Sequence, residues 1–178
     1  MKTLPNKPII LRDNLFSSVN KIVNHNHNGS SIVVPHVCNN INAFGGGFTA
    51  GITKYYPIVK ENYHLLGGKN SLGYVQFVEV SKNHTYGHKL IFANMIAQNG
   101  LISKSNPRPL NYAALVKCMI SVSAFVNDFI NNNKENTIQI HAPKFGSGLA
   151  GGNWNFITDL IFDIWKNHTV FIYDLKKT

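Results

Sequence analysis

Two glycine-rich segments hold the residues best suited to chemistry in this chain. One runs Cys38-Asn39-Asn40-Ile41-Asn42-Ala43-Phe44-Gly45-Gly46-Gly47-Phe48, the other Pro143-Lys144-Phe145-Gly146-Ser147-Gly148-Leu149-Ala150-Gly151-Gly152-Asn153-Trp154. Each follows an apolar run of strand character and precedes apolar residues at helical spacing. Successive glycines at such a junction let the backbone turn several N–H groups toward one point, and the helix N-terminus adds partial positive charge. A single loop of this kind is also an ordinary tight turn. Two in one small domain point to a diphosphate held from both sides by main chain, with no P-loop lysine required.

Few other side chains suggest chemistry. His36 stands near the end of the first apolar run; a near-neutral imidazole there can orient water or protonate a leaving oxygen, or simply sit satisfied at a strand end. Asn39 can donate and accept, which suits sugar hydroxyls or a turn. Cys38 reads as a small buried residue rather than a nucleophile. Gln98 ends a central strand and is a candidate for the same cleft. His84 and His88 are four apart, but Gly87 and the turn residues around them oppose a helical metal pair, and His25 and His27 lie in a polar tract; no metal site and no cofactor is expected. With only 8 acidic residues, a carboxylate-pair hydrolase is disfavoured. Water as nucleophile, positioned and stabilised by backbone donors, fits better.

The elements that must place these residues read as alternating strands and helices. Strands are expected at 9–11, 32–37, 72–80, 90–97, 137–142 and 169–175. Helices are expected at 15–23, from Phe48 to the break at Pro57, at 58–66, at about 110–130, and after the N-cap Asn153. In the longest helix Leu115, Met119, Val122, Val126 and Phe129 step by four and three, a core-facing stripe. Trp154, Ile157, Ile161 and Ile164 mark one face of the last helix. The order implies an α/β fold with a mostly parallel sheet covered on both faces, and ligands in such sheets lie beyond the carboxyl ends of the strands.

The 178 residues suffice for one core and are expected to form a single domain over 1–178. The net charge of +9 favours anionic partners. The basic residues are scattered singly, however, with only Lys176-Lys177 adjacent, so a dedicated nucleic-acid groove is unsupported. Two cysteines without a motif suit a reducing compartment. Pro5 and Pro8 interrupt any signal-like stretch, and no run reads as long enough to span a bilayer, so a cytoplasmic protein without membrane contact is expected (host cytoplasm if the chain is viral).

Taken together, the motifs resemble the macro domain, an ADP-ribose-binding module, over nearly the whole chain. Asp13-Asn14-Leu15-Phe16 is similar to the family's Gly-Asp-Leu/Ile turn, with Asn14 in the place of its adenine-contacting acid. Pro35-His36-Val37-Cys38-Asn39 followed by Gly45-Gly46-Gly47 is similar to its Val-Asn-Ala-Ala-Asn segment and first loop. His141-Ala142-Pro143 running into Lys144 to Gly152 is similar to its second phosphate loop. Ala93-Asn94-Met95-Ile96-Ala97-Gln98 and Arg108-Pro109-Leu110-Asn111-Tyr112 also resemble stretches of bacterial and viral members. The resemblance implies a three-layer α/β/α sandwich with a central mixed, mostly parallel sheet. It also implies a site made of Asn14, Asn39, Gly45, Gly46, Gly47, Phe48, Phe145, Gly146, Ser147, Gly148, Leu149, Ala150, Gly151 and Tyr173, with Phe145 or Tyr173 flanking base or ribose.

The departures sharpen this. His36 replaces the first Asn of the common motif, which makes the chain resemble the branch holding a yeast ADP-ribose-1″-phosphate phosphatase, where the histidine takes part in removing phosphate. His36 and Asn39 are the implied catalytic residues. Another branch uses a lysine nucleophile with an aspartate in the second loop; Ala150 stands in that aspartate's place. The implied ligands are ADP-ribose or ADP-ribose-1″-phosphate. Binding without reaction, and removal of ADP-ribose from modified protein or nucleic acid, remain alternatives.

Overall fold

A computed structural model describes residues 6–25, 30–67, 71–80, 87–133 and 137–175. Residues 26–29 of the polar tract, including His27, lie outside these, as do Gly68, His84 and Lys176-Lys177. The elements are β1 (Ile9–Leu11), α1 (Leu15–His25), β2 (Ser31–Asn39), α2 (Phe48–Tyr55), α3 (Pro57–Leu65), β3 (Val75–Glu79), β4 (Leu90–Gln98), α4 (Tyr112–Asn132), β5 (Ile138–Pro143), α5 (Trp154–Trp165) and β6 (Val170–Tyr173). Every expected element is present, displaced by at most a few residues at its ends.

One six-stranded sheet in the order β1-β6-β5-β2-β4-β3 forms the middle layer. All neighbours pair parallel except β3, which runs antiparallel to β4 at the edge. Strand alternation sorts the core into two layers. Val33, Ile91, Ala93, Ile140 and Ile172 face α4 and α5, whereas Ile32, Val34, Phe92 and Tyr173 face α1, α2 and α3. This is the three-layer sandwich with a mixed, mostly parallel sheet.

Local chemistry sets the helix limits. Asn111 and Asn153 each extend the chain and accept an N–H three residues on, capping α4 and α5. Pro57 starts α3 at a position where its missing N–H costs nothing. By length and composition α4 does meet the requirement for a membrane span, which corrects the expectation that no run is long enough. In this fold it is a core helix: Leu115, Cys118, Met119, Val122 and Val126 are buried, and Trp165 from α5 donates through Nε1 to the Met119 carbonyl at 2.9 Å.

β2 and β5 pair only over Ser31–Val33 against Ile138–Ile140. Past that point they separate, β2 staying with β4 to Asn39 and β5 with β6 to Pro143. The split between their carboxyl ends leaves an opening in the middle of the sheet at its carboxyl end, and both glycine loops start there.

Candidate functional site

A cleft of about 410 Å³ fills that opening. Its walls are the end of β2, the loop 43–49, the end of β5 with the loop 144–150, and Gln98, Leu101 and Ile102 beyond β4. Among these lining residues there is no aspartate or glutamate, and Lys144 is the one lysine or arginine. Its ammonium is taken by Asp174 at 2.6 Å, a half-exposed pair of small energetic weight.

The first loop is laced by side chains. Asn39 Oδ1 accepts the N–H groups of Ile41 and Ala43, both at 3.1 Å, and Nδ2 donates to the Ala43 carbonyl at 2.6 Å. The Tyr63 hydroxyl from α3 donates to the Asn39 carbonyl at 2.6 Å. A register shift between β2 and β4 at Cys38/Asn39 re-aims this residue as the strand ends. Thr49 in α2 accepts the Gly45 N–H and donates to the Gly46 carbonyl. Gly47 caps α2 with a φ of 58° and no side-chain cap, so the N–H groups of Phe48 and Thr49 stay available, while that of Ala50 bonds the Gly47 carbonyl.

The second loop is held by packing. Gly146 and Gly148 accept from Gly152 and Gly151 through main chain. A Cβ on Gly152 would lie 2.5 Å from the Gly146 carbonyl oxygen and 2.4 Å from Leu110, so nothing larger than hydrogen fits there. Among the described residues, the five successive N–H groups of 146–150 meet no acceptor within the protein. The loops touch at one place: Leu149, itself 55% exposed, approaches Gly46 and Gly47 so closely that a Cβ on either would lie 3.2 or 3.5 Å from it.

His36 forms part of the cleft floor, 1% exposed, with Phe44, Phe48 and Phe92 ringed about it. Burial lowers its imidazole to about 4, against the opposing pull of hydrogen bonds with Asn94 and the Val37 backbone. The ring is therefore neutral at pH 7. That corrects the expectation of a near-neutral pKa: the imidazole can orient water or accept a proton but is not a standing acid. Burial also pushes the Cys38 thiol well above its usual range, leaving no thiolate nucleophile.

The cleft brings together most of the residues expected on sequence, namely His36, Asn39, Gly45, Gly46, Gly47, Phe48, Gly146, Gly148, Leu149 and Ala150, with Gln98. Others are placed differently. Asn14 accepts the Ser17 N–H at 3.1 Å, caps α1 and is not among the residues lining this cleft. Tyr173 is 5% exposed, and its hydroxyl meets His141 Nδ1 at 2.8 Å, a core position rather than a base-stacking one. Phe145 reaches the cleft, but its ring, 3% exposed, packs on Trp154 and Trp165. Ser147 turns back to the Lys144 carbonyl. Gly151 packs beneath Pro107 and Arg108 outside the lining and serves the loop's shape. Sequence reasoning missed Tyr63, Thr49, Leu101 and Ile102. A threonine at the second position of a helix was a readable signal; nothing local marked the others.

No family model matches the chain. A curated relative, an uncharacterized 17.5 kDa protein of Enterobacteria phage T4, is 26% identical over 129 residues, 72% of this chain and 76% of that one. A protein of unknown function from Bacteroides thetaiotaomicron has a solved structure 27% identical, with a TM-score of 0.74 over 95% of this chain and 98% of the other. A macrodomain protein from Streptomyces coelicolor superposes with a TM-score of 0.65 at 23% identity over 96% of this chain and all of that one. Thermosipho africanus DarTG, solved in complex with ADP-ribose, gives 0.67 at 14% identity over 98% of this chain and 45% of that protein. With its sheet order, its three layers and these likenesses, the chain has the fold of a macro domain.

Proposed function

We propose that the cleft binds ADP-ribose, the diphosphate lying between the two glycine loops. One observation carries this reading: both glycine loops line one cleft, and the N–H groups of 146–150, with those of Phe48 and Thr49 at the start of α2, have no acceptor within the protein. Such donors compensate a desolvated diphosphate without any side-chain cation. The structural neighbour solved with ADP-ribose supports the same ligand class. Asn39 carries a second Nδ2 proton beyond the one given to Ala43, suited to a ribose hydroxyl. Calorimetric titration with ADP-ribose tests the reading, and no heat at millimolar ligand would refute it.

The finer reading is that the protein hydrolyses ADP-ribose-1″-phosphate to ADP-ribose and inorganic phosphate. Water attacks phosphorus, the bond to the ribose oxygen breaks, and that oxygen leaves with a proton. Neutral His36 would orient the water and take its proton, while the loop N–H groups hold the developing charge. His36→Ala is then expected to abolish phosphate release while ADP-ribose binding survives; unchanged turnover in that variant removes His36 from the mechanism. Binding without reaction is favoured instead by the 1% exposure of His36 and a lining without carboxylates. Mass spectrometry at high enzyme concentration separates the two, since a binder gives no product.

A further inference from the structure

A polar row runs across the sheet from His36. His36, Asn94 and Gln76 are register partners on β2, β4 and β3, so their side chains line up across one face of the sheet. The row ends on the backbone carbonyl of Asn62 in α3, which can only accept. Gln76 Nε2 donates to it at 2.9 Å, which turns Gln76 Oε1 toward Asn94. Asn94 Nδ2 then donates to that oxygen at 2.9 Å, which leaves Asn94 Oδ1 to the β2 side of the row, where His36 is its register partner. Asn94 Oδ1 and His36 Nε2 are both buried, and neither has a hydrogen-bond partner. The Asn94 side chain and the Val37 backbone both pull the imidazole's pKa upward against burial. On the ring's other side Nδ1 lies 3.6 Å from Cys38 Sγ, a thiol that keeps its proton.

We propose that Asn94 is a positioning residue that holds His36 as the Nε2–H tautomer, leaving Nδ1 as its one basic nitrogen. An amide oxygen facing a ring nitrogen is satisfied only by an N–H, and the carbonyl at the far end of the row transmits that demand through two amides. Any proton the ring takes up in the cleft is therefore placed on Nδ1. The catalytic consequence rests on the phosphatase reading above; the tautomer itself does not.

The test is long-range proton–nitrogen correlation on the full chain labelled at histidine, ligand-free at pH 7. The wild-type protein is expected to show His36 protonated at Nε2 and bare at Nδ1. Asn94→Leu should lose that preference, and Asn94→Asp, which keeps an acceptor in place, should retain it. A wild-type Nδ1–H tautomer overturns the proposal, as does an unchanged tautomer in a folded Asn94→Leu or a switch to Nδ1–H in Asn94→Asp. If Asn94→Leu fails to fold, the other two spectra still decide. Because no turnover is read, failure here leaves the phosphate-release assay standing, and failure of that assay leaves this result intact.

Discussion

The two glycine loops face the same cleft but are built on opposite principles. The first is tied by polar side chains that reach into it from Asn39, Thr49 and Tyr63. The second is shaped by what cannot fit, with Gly152 wedged against the Gly146 carbonyl and Leu110. Their supporting strands differ in the same way. Below the first loop, His36 keeps a ring nitrogen without a geometric partner. Below the second, His141 meets Tyr173 at 2.8 Å and Gln139 at 3.2 Å and stacks on Phe171. The first loop can thus be loosened by removing hydrogen bonds, the second by adding atoms.

Substitutions can break this contrast in descending order of effect. Gly152→Ala forces the second loop and α5 apart from Leu110, and overpacking of this kind costs about 3 kcal/mol; a urea midpoint unchanged from wild type would contradict the packing account. Asn39→Ala removes four side-chain hydrogen bonds, three within the first loop and one from the Tyr63 hydroxyl, for a loss of about 2 kcal/mol in stability together with weaker ADP-ribose binding by calorimetry.

Acid should destabilise the fold through both strands. Burial holds His36 and His141 at about 4, below the ordinary 6.5, so the unfolded chain binds more protons between those values. Stability is then full above about pH 6.5 and falls as pH drops toward 4, each histidine adding up to about 1.4 kcal/mol per pH unit. Urea titrations at stepped pH should show a slope that His141→Phe reduces. The smallest effect on folding belongs to Gly148→Ala, where no atom lies within 4 Å of the added methyl. Its unfolding midpoint should stay within about 0.5 kcal/mol of wild type, while ADP-ribose affinity drops because the methyl enters the cleft.

Much of this was legible from the sequence because periodicity and turn chemistry are local. The stripe of Leu115, Met119, Val122 and Val126 and the cap at Asn153 are where spacing put them. The loops themselves were readable from their glycines. What escaped is tertiary. Asn14 has the right type at the right turn, and its cap on the Ser17 N–H is a further role the sequence did not show. Tyr173 alternates onto the inner face of β6 and meets His141 across the strands. Tyr63 reaches Asn39 from 24 residues away, a contact no window of sequence contains. The pKa of His36 is likewise a property of the aromatic box around it, which forms only when β2, β4 and α2 assemble.

On the reading proposed above, the diphosphate is held chiefly by main chain, and every residue but proline brings the same amide to such a site. No single side-chain deletion can silence a chorus of five consecutive N–H donors. Drift that preserves the backbone path can therefore preserve the ligand while erasing the sequence. Such a site depends on loop conformation rather than on residue identity.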